Sequence, residues 1–224
     1  MTTFESEMEG PTLREKIAEW SQEHASDYPA EIKRIFAQKT EELLRSGILS
    51  RCAKEGDAAP DFVLPKEDGS EIQLSEKLKN GPVILSFYRG TWCPYCNLEF
   101  QELLSTLPQY RSSGAMILAL SPQVINRFEP VADAAFEDLC DRGNKVAAKY
   151  GLVHPIAREI KKIYEGFGLK INEFNGDLNY ELPLAATYVV DRDGQIRFAF
   201  TSVNYEERAE PRELVLVLSK LRDS

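Results

Sequence analysis

The stretch PVILSFYRGTWCPYCNLEFQELL occupies residues 82–104. Its first part, residues 82–88, is a short apolar run of strand length, which predicts a buried β-strand. Its second part carries leucines at helical spacing, and we expect a helix from Cys93 to about Tyr110. The two cysteines of this stretch, Cys93 and Cys96, therefore lie where a strand passes into a helix.

Short strands and helices alternate along the rest of the chain. Asp68-Gly69 and Asp193-Gly194 each predict the turn of a β-hairpin. The predicted strands are 62–64, 71–74, 116–121, 186–191 and 195–201, and the predicted helices are 144–150, 156–167 and 211–221. A strand–helix–strand crossover followed by a hairpin and a last helix predicts an α/β fold, with a mixed central sheet flanked by helices.

The N-terminal segment, residues 1–50, is predicted to be a helical arm that precedes the main domain of residues 51–224. Thr12 and Glu15 have the spacing of a capping box at the start of a first helix. Gly47 marks the end of a second helix. Two helices cannot bury their apolar stripes against each other alone, so we expect the arm to pack on the main domain or to join two chains in a homodimer.

The charge balance excludes several classes of partner. Of 224 residues, 27 are lysine or arginine and 36 are aspartate or glutamate, which gives a net charge of −9. This sign is unfavourable for binding to nucleic acid or to an anionic membrane surface. Apolar runs are strand-sized, far below the roughly 18 residues that span a bilayer. With no apolar leader at the N-terminus, a cytoplasmic location is expected.

The pair Cys93 and Cys96 predicts redox chemistry. A thiol in the first turn of a helix faces unpaired N–H groups and the positive end of the helix dipole, which favour the thiolate. A sulfur three residues further on lies on the same helical face and can form a disulfide with it. The plainer alternatives are a structural disulfide or half of a zinc site, but a closed zinc site needs about four ligands. Cys52, Cys140, His24 and His154 are not at ligand spacing, so we expect neither a metal nor an organic cofactor, and we take Cys52 and Cys140 as spectators.

Several motifs in order resemble a known family. They are GDAAPDF at 56–62, FYRG at 87–90, WCPYC at 92–96 and TYVVDRDG at 187–194. Together they look like the AhpC/TSA peroxiredoxin-like branch of the thioredoxin superfamily, over residues 55 to 222. The resemblance implies a thioredoxin-like fold and thiol-based reduction of hydroperoxides, with electrons from a thioredoxin- or glutaredoxin-like donor.

The resemblance can be laid on the cysteines in two ways. The peroxiredoxin pattern makes Cys96 the attacking sulfur and puts its usual glutamate at Glu99. The thioredoxin-like Trp-Cys-x-x-Cys pattern makes Cys93 the attacking sulfur and Cys96 the resolving one. Arg89 and Thr91 complete the predicted site. Arg89 is expected to stabilise a thiolate and to hold a peroxide oxygen through charge-assisted hydrogen bonds.

Two departures from the family pattern keep other functions open. Ala185 stands where relatives carry a site arginine or a proline, and Phe87 replaces the buried acid of thioredoxins. A dithiol–disulfide exchanger acting on protein or glutathione disulfides is the first alternative. The second is a redox-sensing protein whose arm binds a partner.

Overall fold

The computed structural model describes residues 10–66, 68–125, 127–129, 131 and 133–222. The described helices are α1 Leu13–Glu23, α2 Ala30–Arg45, α3 Leu74–Leu78, α4 Pro94–Ser105, α5 Leu107–Ser112, α6 Lys145–Lys149, α7 Arg158–Gly166, α8 Ile171–Asn175 and α9 Pro211–Arg222. The described strands are β1 Val63–Pro65, β2 Glu71–Gln73, β3 Val83–Phe87, β4 Met116–Ser121, β5 Phe136–Cys140, β6 Val153–Pro155, β7 Glu181–Pro183, β8 Ala185–Val190 and β9 Ile196–Ser202.

Five strands form the central sheet in the order β5-β4-β3-β8-β9. β3 runs parallel to β4, which runs parallel to β5, whereas β8 and β9 are antiparallel to their neighbours. The mixed sheet is thus as predicted. β3 is the central strand and pairs with a neighbour on each side. The segment that carries the two cysteines therefore follows the most enclosed strand of the sheet.

The central strand is apolar on both faces because helices cover both faces of the sheet. Val83, Leu85 and Phe87 belong to one apolar cluster with α6 and the segment after α2. Ile84 points the other way, into a cluster built with α1, α4, α5 and α9. This alternation explains why the sequence shows a continuous apolar run rather than every second residue.

The helix predicted from Cys93 to Tyr110 is two helices in the structure. α4 ends at Ser105 and α5 begins at Leu107, with Thr106 between them. Pro108 lies in the first turn of α5, where its missing N–H costs nothing. In a continuous helix the same proline would lose a hydrogen bond and clash with the preceding turn, so the chain breaks there.

The N-terminal helices pack on the rest of the chain; residues 1–9 of the predicted arm lie outside the described residues. The capping box of Thr12 and Glu15 is present. Glu210, just before α9, accepts hydrogen bonds from the N–H groups of Leu13 at 3.1 Å and Arg14 at 2.9 Å. Leu13 is buried against α4, and α2 packs on α7. The boundary at residue 51 stays a prediction.

Candidate active site

The loop between β3 and α4 is held in a tight turn. Gly90 has φ +141°, and a Cβ there would lie 2.4 Å from Trp92 Nε1 and 2.6 Å from Gln123 Oε1. Its carbonyl accepts a hydrogen bond from the Cys93 N–H at 3.1 Å. The N–H of Thr91 donates to Gln123 Oε1 at 2.7 Å, and Gln123 Nε2 donates to Thr91 Oγ1 at 2.9 Å. Thr91 therefore anchors the loop to the buried Gln123.

Cys93 is the N-cap residue of α4, and Pro94 is its first helical residue. The sulfur thus lies at the positive end of the helix dipole, as the sequence predicted. Cys96 is one turn further along the same helix. Both cysteines are buried and both are in the thiol or thiolate form, not joined as a disulfide.

Arg89 is buried beside Cys93, with only 7% of its surface exposed. Its Nη1 group donates to Cys93 Sγ at 3.7 Å and its Nη2 group donates to the hydroxyl of Tyr164. The guanidinium lies over aromatic rings, 4.8 Å from the centre of Trp92 and 5.2 Å from that of Tyr205. These rings fix the guanidinium so that it faces the sulfur.

A second buried arginine, Arg208, binds the other cysteine. Its Nη2 group donates to Cys96 Sγ at 3.1 Å, and its Nε group donates to Glu99 Oε2 at 2.6 Å. Ser86 and Thr187 each donate a hydroxyl hydrogen bond to Glu99 Oε1 at 3.4 Å. Sequence analysis missed Arg208, which lies 112 residues from Cys96 along the chain. Only the fold brings the two together.

The pairing of buried charges decides which thiol is ionised. Arg208 has Glu99 as its counterion. Among the described residues Arg89 makes no ion pair with a carboxylate, and a buried cation without a partner is costly. The Cys93 sulfur is therefore the anion that pairs with Arg89, although the shorter arginine–sulfur distance is that of Arg208 to Cys96.

The pKa shifts follow from this arrangement. Burial by itself raises the pKa of Cys93, but the hydrogen bond from Cys96 and the charges of Arg89 and Arg208 outweigh it and lower the pKa well below that of a free thiol. Burial and the neighbouring Cys93 thiolate raise the pKa of Cys96. Near neutral pH the site holds a Cys93 thiolate that accepts a hydrogen bond from a Cys96 thiol.

Glu99 is the buried acid of this site. Burial raises its pKa to about 7, against the opposing charge of Arg208. Phe87, which replaces the acid of thioredoxins, instead packs in the core, with its ring centre 5.1 Å from that of Tyr150. A carboxyl group that titrates near neutrality is thus supplied by α4, on the Cys96 side of the pair.

A cavity of about 550 Å³ opens at Cys93. Its floor includes Arg89 and Trp92. Its walls are largely aromatic, and a substantial part of them comes from the N-terminal helices and the segment between them: Trp20, His24, Tyr28, Ile32 and Phe36. Cys96 is absent from the described residues that line this cavity, so Cys93 is the sulfur of the pair that reaches it.

Four other residues considered in the sequence do not line the Cys93 cavity: Cys52, Cys140, His154 and Ala185. Cys52 is buried in the core, where its Sγ lies 3.5 Å from the carbonyl oxygens of both Ile48 and Gly151 and can donate to one of them at a time. Burial raises the pKa of Cys140, on β5. Burial lowers the pKa of His154 to about 4. Ala185 is a buried residue at the start of β8 and offers no side-chain donor.

Neither a metal cluster nor a membrane span is found in the described part of the chain. No group of three or more His, Cys, Asp or Glu side chains there is placed to hold a metal ion. No helix within the same ranges is long and apolar enough to cross a bilayer.

Known proteins share this fold. The solved structure of peroxidoxin BcpB from Mycobacterium tuberculosis aligns with 75% of this chain and 97% of its own, at 22% identity and a TM-score of 0.53. That of peroxiredoxin 6 from Arenicola marina aligns with 76% and 74%, at 15% identity and a TM-score of 0.59. The predicted thioredoxin-like fold is thereby confirmed.

Sequence relatives include two kinds of thiol enzyme. The thiol-disulfide oxidoreductase ResA of Geobacillus kaustophilus is 30% identical over 155 residues, which are 69% of this chain and 74% of that protein. Chloroplastic peroxiredoxin Q of Oryza sativa subsp. japonica is 26% identical over 161 residues, 70% of this chain and 64% of that protein. Residues 55–199 match the AhpC/TSA family, and the chain belongs to that family.

Proposed function

We propose that this protein is a thiol peroxidase in which Cys93 attacks a hydroperoxide and Cys96 resolves the product. The observation that carries the proposal is the buried Arg89 guanidinium, which contacts the Cys93 sulfur where both residues line a cavity; this charge favours the Cys93 thiolate. The thiolate is the reactive form of cysteine. Arg89 also offers N–H groups that can bind a peroxide oxygen as negative charge develops on it.

The first step oxidises Cys93. Its thiolate attacks the terminal oxygen of R–O–OH, so that a sulfur–oxygen bond forms and the oxygen–oxygen bond breaks. The products are Cys93 sulfenic acid and an alkoxide, which takes up a proton and leaves as the alcohol R–OH. The positive charge of Arg89 stabilises the negative charge that moves from the sulfur to the departing oxygen.

The second step forms a disulfide. The sulfur of Cys96 attacks the sulfur of Cys93, the sulfur–oxygen bond breaks, and the oxygen leaves as water with the proton of Cys96. Glu99 and Arg208 support this step from behind Cys96, because a carboxyl with a pKa of about 7 can hold or release a proton at neutral pH. A dithiol donor then supplies two electrons and two protons that restore both thiols.

A thiol–disulfide oxidoreductase is the second candidate. It is favoured by the Trp-Cys-Pro-Tyr-Cys sequence and by the 30% identity to ResA. In that function the Cys93 thiolate attacks a substrate disulfide instead of a peroxide. The same two cysteines serve both reactions, so the substrate and not the site distinguishes them.

Two assays run side by side separate the candidates. We expect the reduced protein to consume hydroperoxide catalytically with a thioredoxin or glutaredoxin system as donor, and to reduce insulin no faster than the donor alone. Cys93→Ser is expected to abolish peroxide consumption. Rapid insulin reduction together with peroxide consumption no faster than that of a free thiol would favour the oxidoreductase instead.

The donor, the compartment and the assembly belong to the same proposal. A thioredoxin- or glutaredoxin-like donor fits a reducing compartment, and the cytoplasm is the compartment we propose. A homodimer through the arm is also proposed, since Leu44 of α2 leaves 48% of its surface exposed. Light scattering of the full chain tests it: twice the 25.4 kDa of one chain supports a dimer, and a mass of 25.4 kDa refutes it.

A further inference from the structure

The walls of the Cys93 cavity include residues outside the family segment. Trp20 of α1 and Tyr28, Ile32 and Phe36, at and after the turn into α2, all precede residue 55, where the family match begins. The apolar side chains of α1 that face the core anchor it to α4, and α2 packs on α7. The end of α1, the start of α2 and the turn between them therefore line the cavity that opens at Cys93.

The size of the cavity exceeds what the smallest peroxide needs. Its volume of about 550 Å³ falls within the range of about 300–1,000 Å³ that is usual for small-molecule sites. Hydrogen peroxide has no apolar group to place against Trp20, Tyr28 or Ile32. Aromatic walls of this extent contribute to binding only when the substrate carries an apolar group that is transferred from water into contact with them.

The charges around the cavity favour a neutral group. Apart from Arg89 at the floor, the charged side chains among the described lining residues are Asp27, Lys33 and Glu206. Two of these three are acidic, and the whole chain carries −9. An anionic tail would meet repulsion at the rim, whereas a neutral aryl or branched alkyl group would not.

We propose that the N-terminal helices form a binding site for the neutral, bulky apolar group of the substrate, and so make the protein selective for arylalkyl hydroperoxides over hydrogen peroxide. The inference rests on the proposed peroxidase function. The apolar group lies against Trp20, Tyr28 and Ile32, while the peroxide oxygens point to Cys93 and Arg89. The helices before residue 55 are therefore the element that determines specificity.

The test uses cumene hydroperoxide, hydrogen peroxide and 2-phenyl-2-propanol, the alcohol that cumene hydroperoxide yields. Trp20 and Trp92 are the two tryptophans of the chain and both line the cavity, so intrinsic fluorescence reports on its occupancy. We expect the alcohol to change the fluorescence saturably in the reduced protein. We expect kcat/KM to be higher for cumene hydroperoxide than for hydrogen peroxide.

Ile32→Ala removes part of the apolar wall, and Ile35→Ala is its matched control. Ile35 lies on the same helix at similar partial burial, but packs with α7 and does not line the cavity. Ile32→Ala should weaken alcohol binding and lower kcat/KM for cumene hydroperoxide by about tenfold, with hydrogen peroxide unaffected. Ile35→Ala should leave both unchanged.

The outcomes separate this inference from the proposed function. Equal loss with both peroxides in Ile32→Ala, or no saturable alcohol binding to the wild type, would overturn the role of the helices while the peroxidase stands. Saturable alcohol binding, lost in Ile32→Ala, without reaction of either peroxide would overturn the peroxidase and support the apolar site.

Discussion

At the scale of single residues, the charge on Cys93 decides the reactivity of the site. The thiolate exists above the pKa of the sulfur and is lost as the pH falls through it. Because the pKa of Cys93 is lowered, its alkylation by iodoacetamide should stay fast from pH 8.5 down to well below pH 7. The alkylation rate of an ordinary thiol, whose pKa is about 8.5, falls about tenfold per pH unit over that range.

The measurement is the alkylation rate of Cys96→Ser across this pH range, with Cys93 as the reacting site identified by peptide mapping. Arg89→Met removes the cation that pairs with Cys93, and we expect its profile to move toward that of an ordinary thiol. A tenfold fall per unit already below pH 8 in the parent variant would contradict the lowered pKa.

Arg208 is the counterion of Glu99, and its removal should be costly. Arg208→Met removes the charge that holds down the pKa of Glu99, so at pH 8 the buried carboxyl must either take up a proton or stay ionised without a partner, and we expect a loss of about 3 kcal/mol in the free energy of unfolding. Urea unfolding measures the loss. The double variant Arg208→Met/Glu99→Leu should recover part of it; a loss below about 1 kcal/mol in the single variant would show that the pair is unimportant.

The part of the site around Cys93 could be predicted from the sequence, whereas the contact between Arg208 and Cys96 could not. Cys93, Cys96 and Arg89 lie within eight residues of one another, so their proximity follows from one strand–helix junction. Arg208 meets Cys96 only because β9 and the start of α9 return to the sheet. No local pattern distinguishes that arginine from the exposed ones near it.

At the scale of elements, α1 contributes to stability as a part of the core. Leu13 is 1% exposed, whereas Leu44 of α2 is 48% exposed. Leu13→Ala should therefore lower the free energy of unfolding by about 2–5 kcal/mol, and Leu44→Ala by less than about 0.5 kcal/mol. Chemical unfolding of both variants compares them, and equal small losses would mean that α1 is only loosely attached.

Elements with long apolar runs were predictable, and those held by charged side chains were not. β3 and β8 stand out as buried runs. β5, an edge strand that was not predicted, carries Glu137 and Asp138, whose carboxylates bind Lys66 and Tyr88 at 2.7 Å. These distant partners stabilise the strand, and an alternating apolar pattern is accordingly weak in its sequence.

At the scale of the whole molecule, the charge pairs favour the reduced protein. Forming the Cys93–Cys96 disulfide removes the anion beside Arg89 and leaves that arginine buried without a counterion. Stabilising the reduced form makes a disulfide more oxidising. The reduction potential of thioredoxin is about −270 mV. We expect a less negative potential for this protein, so that electrons flow from such a donor to it.

Equilibration with glutathione redox buffers measures this potential, and thermal unfolding of the two forms gives an independent check. The oxidised protein should unfold at a lower temperature than the reduced protein. A potential more negative than that of thioredoxin, together with a more stable oxidised form, would show that the thiolate is not needed to stabilise the buried Arg89.

The division of labour between the cysteines is the central claim, and intact mass spectrometry tests it most directly. One equivalent of cumene hydroperoxide is added to the reduced wild type, Cys93→Ser and Cys96→Ser. We predict that the wild type loses the mass of two hydrogen atoms, that Cys96→Ser gains one oxygen atom, and that Cys93→Ser is unchanged. Oxygen gained by Cys93→Ser, with Cys96→Ser unchanged, would contradict the account and make Cys96 the attacking sulfur.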